Sequence, residues 1–289
     1  MNFRKGFLLT AVFLFLSGQA FCQMIILSGP EKGSYSQFAD DIVAILGEKS
    51  NILLENNTTD GSAFNFKMLI DPNTNYKIAL IQSDFMNLMD AEDKLNDTDK
   101  TGSLKVVMQL AKEQIHFVVR KSSDLTSLQD LAMKRVGIGT IDQGGFATAK
   151  IIRERSQIDW ATVYVGFDEM LSRLSTESIN AGFVVGSAPL DMLNIDPQVM
   201  VDGMALIELD DFNGWADYYE NDTIYSGDYK WLDKNIPTFG VRTLLVVNES
   251  KLNSEEKETV SVIKSSIIQN IDQLKIQGHP KWSTVVIPE

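Results

Sequence analysis

Short apolar runs alternate along this chain with segments whose apolar residues recur every three or four positions. Met24-Ile25-Ile26-Leu27 is short enough for a buried strand, while Phe38, Ala39, Ile42, Val43 and Leu46 lie at helical spacing. Between them stands Ser28-Gly29-Pro30-Glu31-Lys32-Gly33-Ser34-Tyr35, so the unit reads as strand, glycine turn, helix. A second strand is predicted over 51–55, followed by polar turn chemistry to Ser62. A helix over 63–70 stops at Asp71-Pro72-Asn73, and a third strand runs over 76–81 into Gln82-Ser83-Asp84. The acidic stretch 90–103 reads as a surface connection. Residues 104–108 and 115–120 are strand-like, and Lys121-Ser122-Ser123-Asp124 marks a boundary.

The opening design then returns. Ser127 caps a short helix, Val136-Gly137-Ile138-Gly139 reads as a strand, residues 140–144 as a turn, and Gly145 opens a helix to about Ser156. Gly33 aligns with Gly144 and Tyr35 with Phe146. Strands are predicted at 163–165 and 181–185, with a helix over 168–174 between them. Gly186-Ser187-Ala188-Pro189 is another small-residue turn. The segment 212–231 is rich in aromatic residues mixed with acids. It reads either as a stacking surface for a glycan or as an irregular lobe packed on its neighbours. A strand over 241–247 and an amphipathic helix over 255–274 have no partners nearby in sequence and are expected to return to the first half. This alternation places the chain in the α/β class with a mainly parallel sheet. Ligands in such sheets sit beyond the carboxyl ends of the strands.

The chain has 289 residues and a formal net charge of −13. That balance opposes nucleic-acid binding and a polybasic attachment to membranes. At the N-terminus, Arg4 and Lys5 precede an apolar run over 7–16 and the small residues around Ala20 and Cys22. This reads as a signal peptide over 1–22, too short to span a bilayer. Cleavage is expected after Cys22, with Ala20 as the competing position. A lipoprotein anchor on Cys22 is disfavoured by the bulky Phe21 before it. Cleavage after Cys22 removes the only cysteine, leaving neither disulfide nor thiol nucleophile, as suits a bacterial periplasm.

A turn that opens a helix aims free N–H groups and the positive end of the helix dipole at one point, which favours an anion. Two matched turns suggest two jaws around one ligand. The candidate ligand contacts are Ser28, Gly33, Ser34, Tyr35, Gln82, Ser83, Gly144, Gly145, Phe146, Gly186 and Ser187, all at strand ends on one side. Singly, each is ordinary turn or capping chemistry; their shared edge is what raises them. Arg120 and Arg242 lie near the expected crossings and read as solvated strand ends rather than carboxylate clamps. Catalytic patterns are missing. Gly137-Ile138-Gly139 lacks the third glycine of a dinucleotide fingerprint, and Gly182-Phe183-Val184-Val185-Gly186 lacks a nucleophilic serine. Two histidines, His116 and His279, make a zinc cluster improbable. Asp210-Asp211-Phe212-Asn213-Gly214 puts Phe212 where a calcium loop needs oxygen. No catalytic residue, metal site or cofactor is expected.

Six stretches, in order, resemble the TAXI family of solute receptors for TRAP transporters, a branch of the type II periplasmic binding proteins. They are S-G-P-E-K-G-S-Y from Ser28, T-D-G-S-A-F-N from Thr59, I-A-L-I-Q-S-D from Ile78, H-F-V-V-R-K-S-S-D-L-T-S-L-Q-D-L from His116, V-V-G-S-A-P from Val184 and P-T-F-G-V-R-T-L-L-V-V from Pro237. The chain departs from the family pattern at Ala132-Met133-Lys134 and at 222–227. The resemblance implies two α/β lobes joined by two crossover segments: 23–118 with 238–289, and 119–237. It also implies a monomeric periplasmic receptor without enzymatic activity. Such a receptor traps a small anionic solute (amino acid, keto acid or dicarboxylate) for membrane TRAP permease subunits. Two alternatives are a sensory protein presenting its solute to a membrane receptor, and glycan binding by 212–231.

Overall fold

A computed structural model describes residues 23–50, 52–194 and 203–287. The signal-peptide reading over 1–22, with its cleavage positions Ala20 and Cys22, lies outside them.

The strands are β1 (Gln23–Leu27), β2 (Leu53–Asn57), β3 (Ile78–Gln82), β4 (Leu104–Arg120), β5 (Arg135–Gly137), β6 (Ala161–Val163), β7 (Ala181–Gly186), β8 (Met204–Leu206), β9 (Glu220–Ile224) and β10 (Ile236–Asn248). The helices are α1 (Ser34–Lys49), α2 (Ser62–Ile70), α3 (Ser83–Asn96), α4 (Gly144–Ser156), α5 (Phe167–Ser175), α6 (Ser254–Gln269) and α7 (Ile271–Gln277). The sheet runs β2-β1-β3-β10-β4-β7-β5-β6, with β8 added to β4 and β9 to β10. Pairings at its two ends are parallel: β1 with β2 and β3, and β5 with β6 and β7. The long β4 and β10 run antiparallel to their neighbours and join the ends.

The centre of the sheet differs from the sequence expectation. Residues 104–108 and 115–120 belong to one strand of 17 residues. Along its first part β4 pairs with β10, and from Gln114 onward with β7. β10 likewise begins earlier than 241 and pairs first with β9. The first half of the surface connection over 90–103, residues 90–96, is in fact the second half of α3. Phe85, Leu88 and Met89 give this helix an apolar stripe, while its outer face is acidic.

Apolar side chains cover both faces at each end of the sheet. One core joins Phe38, Ile42 and Leu46 of α1 to Ile263 and Ile267 of α6, Leu274 of α7 and the buried Trp282. The opposite face packs Leu69 of α2 and Phe85 of α3 on Leu27, Ile81 and Val246. At the far end of the sheet two further clusters centre on Phe117, Phe183 and Trp215, and on Met170, Val184 and Tyr229. The aromatic segment therefore goes chiefly into the core. Trp215, Tyr219 and Tyr229 are buried, while Tyr218 and Tyr225 are exposed. Phe212 and Trp231 also pack against these clusters, so five of the seven rings serve packing.

Candidate functional site

Both glycine turns face a cleft between the two ends of the sheet. Residues 28–33 bend so that the Gly33 N–H donates to Pro30 O at 2.7 Å, and Gly33 caps α1 from an extended conformation. Asn65 of α2, fully buried, ties this turn to the sheet: Nδ2 donates to Ser28 O at 2.6 Å and to Leu80 O at 2.8 Å. Gly61 precedes α2 with φ of +126°, a conformation only glycine adopts freely. On the other side, the Thr140 N–H donates to Gln143 Oε1 at 2.9 Å, shaping the second turn ahead of α4. Gly144 is pressed against the first half of the chain. A Cβ built on it would stand 1.5 Å from Gln82 Oε1, so a larger residue here would force the Gln82 side chain to move.

A cavity of about 450 Å³ lies between these turns, within the size range of small-molecule sites. Its floor is formed by the buried residues Tyr35, Ser62, Gln82 and Glu113. Val184, Val185, Leu190 and Met192 make an apolar wall on the other side. Lys32, Asp60 and Asp191 are exposed charges at its edge.

The floor is hydrogen-bonded throughout. The Gln82 N–H donates to Ser62 Oγ at 3.0 Å, and Ser62 Oγ lies 3.3 Å from the Tyr35 hydroxyl. Thr243 Oγ1 donates to Glu113 Oε1 at 2.7 Å, and the Tyr35 hydroxyl stands near the Glu113 carboxyl. Burial pushes Glu113 up to about 7, against the neighbouring Thr243 and Tyr35 hydroxyls, which favour its charge. Burial likewise drives the Tyr35 phenol well above its ordinary range.

The wall is positioned by His116. The Leu190 N–H donates to the Tyr229 hydroxyl at 2.9 Å, which leaves the Tyr229 proton for His116 Nε2, also at 2.9 Å. His116 Nδ1 therefore carries the ring proton and donates it to Gln114 O at 3.1 Å. Full burial pulls this imidazole down to about 4, so the neutral tautomer persists across neutral pH.

Beside the cavity the two halves touch directly. The Phe64 N–H donates to Asp142 O at 3.1 Å. Asp84, at the start of α3, accepts from Thr148 Oγ1 of α4 at 2.6 Å, from the Tyr219 hydroxyl at 3.0 Å and from the Phe85 N–H at 2.8 Å. Burial raises Asp84 despite these bonds.

Of the sequence candidates, Gly33, Ser34, Tyr35, Gln82, Gly144 and Gly145 line the cavity. The others are placed elsewhere. Ser28 Oγ donates to Asn57 O at 3.4 Å, Ser83 Oγ accepts the Arg242 N–H at 3.0 Å, and Ser187 Oγ donates to Lys112 O at 3.2 Å. These hydroxyls satisfy the backbone of neighbouring segments. Phe146 packs toward Tyr164 and the core, and Gly186 lies under Leu190. Arg242 engages Glu220 with Nε at 3.0 Å and Nη2 at 2.9 Å, and Arg120 pairs with Glu177 at 2.7 Å, so both stay outside the cavity. Sequence reasoning missed Glu113 and the wall at 184–192. The signal for Glu113 was present: Lys112-Glu113-Gln114 is a polar interruption between two strongly strand-like runs.

No group of acidic, histidine or cysteine residues among the described ones has the arrangement of a metal site. No helix among them is long and apolar enough to cross a membrane.

The family model described as the NMT1-like family matches residues 26–286, and the chain belongs to that family. No curated protein sequence matches it. Among solved structures it is similar to one reported for glutathione import through GshT and the cystine ABC importer TcyBC of Streptococcus mutans. The TM-score there is 0.55 at 9% identity, over 92% of this chain and 97% of that one. It is also similar to the substrate-binding protein of an amino-acid ABC transporter, with TM-score 0.54 and 11% identity over 89% and 99% of the two chains. A third is an ABC uptake transporter substrate-binding protein from Streptococcus pneumoniae with bound histidine, at TM-score 0.51 and 14% identity over 88% and 89%. At such identities the likeness concerns the fold, which is the type II periplasmic-binding-protein fold.

Proposed function

We propose that this member of the NMT1-like family is an extracytoplasmic solute-binding protein that holds one small organic acid and hands it to a membrane transporter. The observation that carries this reading is the cavity, built jointly from two glycine turns at opposite ends of the sheet. Residues 23–118 with 238–289 act as one jaw and 119–237 as the other, closing by a hinge movement. Tyr35, Gln82, Gly33, Ser34, Gly144 and Gly145 contact the solute. The N-terminal turns of α1 and α4, with Lys32 at the edge, attract its anionic group. Binding needs no covalent step and no turnover. The resemblance of the six stretches to TAXI receptors supports TRAP permease subunits as the partner, and the amino-acid transport named for the structural neighbours supports a solute of that size.

A thermal-shift screen of amino acids, keto acids and dicarboxylates on the purified protein tests the reading. A ligand present at 100 times its dissociation constant stabilises the fold by about 2.7 kcal/mol. At least one of these acids is expected to raise the melting temperature. A well-folded preparation that responds to none of them would overturn the proposal.

A further inference from the structure

Glu113 is the one carboxylate on the floor of the cavity, and only 2% of its surface is exposed. It occupies the place where β4 stops pairing with β10 and begins pairing with β7, so its position is set by the central strands of the sheet. Its polar neighbours are hydroxyls that favour its charged form. Thr243 donates to it at 2.7 Å. A chain of polar groups runs from the Gln82 N–H through Ser62 to the Tyr35 hydroxyl, which stands near the carboxyl. Among the described residues no ion pair includes it. The charged groups around it are acidic on the inside, with Asp84 nearby from α3. At the cavity edge stand Asp60, Asp191 and the cation Lys32.

A buried carboxylate without a cation is costly unless a partner arrives with the opposite charge. The cavity is the open direction from which that partner reaches Glu113. We propose that Glu113 is the specificity-determining residue of the site and receives the protonated amine of the solute. The ligand is then an α-amino acid, its ammonium on Glu113, its carboxylate toward Lys32 and the α1 turn, and its side chain against Val184, Leu190 and Met192. This rests on the solute-binding reading and narrows it, because keto acids and dicarboxylates lack the amine.

The test is isothermal titration of the wild-type protein and of Glu113→Gln with the standard amino acids, their 2-oxo counterparts and succinate. The proposal expects an amino acid to bind and its 2-oxo counterpart to bind at least about 30-fold more weakly. Glu113→Gln loses a similar factor for the amino acid. Repeating the wild-type titration at pH 7 in buffers of different ionisation enthalpy gives a readout independent of the variant. An arriving ammonium holds Glu113 ionised, so binding releases about half a proton at that pH. Tight binding of a 2-oxo acid or succinate in place of amino acids overturns the assignment of Glu113 while leaving the solute-binding reading intact. So does an amino-acid affinity untouched by Glu113→Gln, or amino-acid binding without proton release. Absence of binding by all three classes overturns both readings.

Discussion

Asp84 and Glu113 are both carboxylates with 1–2% of their surface exposed, both stand beside the cleft, and burial raises both above the ordinary carboxylate range. Their surroundings differ. Asp84 sits in a seam between α3 and α4, where Thr148, Tyr219 and a backbone N–H from three separate segments converge on it. Glu113 has two hydroxyls on one side and a cavity on the other. The first carboxylate is consumed by the chain itself, and its hydrogen bonds hold the two halves together. The second is held in place by the chain but faces the space where a guest would stand. Comparable burial thus serves cohesion in one place and, under the proposal above, recognition in the other, and the partners rather than the burial distinguish them.

The comparison breaks most sharply at Asp84. Asp84→Ala strands Thr148, Tyr219 and the Phe85 N–H in a dry seam, and about 3–4 kcal/mol of stability should be lost, read from urea denaturation. A loss under 1 kcal/mol would mean that water replaces the carboxylate and that the seam does not bind the halves.

The next effect belongs to Glu113 and depends on pH. The folded chain keeps a proton on Glu113 up to about 7, whereas an ordinary glutamate loses it near 4.5. Between those values the folded state binds more protons than the unfolded state, so stability falls as pH rises. The difference of two to three units corresponds to about 3 kcal/mol. Glu113→Gln resembles the protonated form. It should match wild type near pH 4 and exceed it by up to about 3 kcal/mol at pH 8, measured without ligand. Parallel stability curves for the two proteins would show that Glu113 is solvated in the free state.

The smallest effect is expected at Glu220, half of whose side chain is exposed although it pairs with both Lys112 and Arg242. Arg242, bonded to it directly, holds this carboxyl below its usual range. Glu220→Gln should cost about 0.5 kcal/mol, because water screens the pair. A cost of several kcal/mol would show that the outer ion cluster, and not the Asp84 seam, ties the strands together.

The sequence made the repeated strand, turn and helix units legible because their apolar spacing and glycines are local. It also brought out Tyr35, Gln82 and the two turns as residues at strand ends. It hid α3, whose acidic outer face outweighs the few apolar residues it buries. It also split β4 at Lys112-Glu113-Gln114, because a strand that carries polar residues in mid-sheet breaks the alternation on which a strand is recognised. The same break conceals Glu113: its setting depends on β10, β7 and α1, which lie far away in sequence. Ser28, Ser83 and Ser187 stand away from the cavity for the opposite reason. Their local chemistry is that of a turn, and backbone groups took up hydroxyls that the strand-end pattern had offered to a ligand.

The two longest strands, β4 and β10, cross the molecule side by side with two register shifts between them, and β4 alone spans at most roughly 55 Å at the usual strand rise. If the proposed jaws close, a cleft bridged in this way turns like a torsion bar and not like a door on a loose loop. Each degree of such a movement would be spread as twist over many paired residues, giving an elastic restoring force. Amide hydrogens at the crossing, around Gln114 and Gly240, should then exchange as slowly as those of the cores, even while the cavity mouth moves.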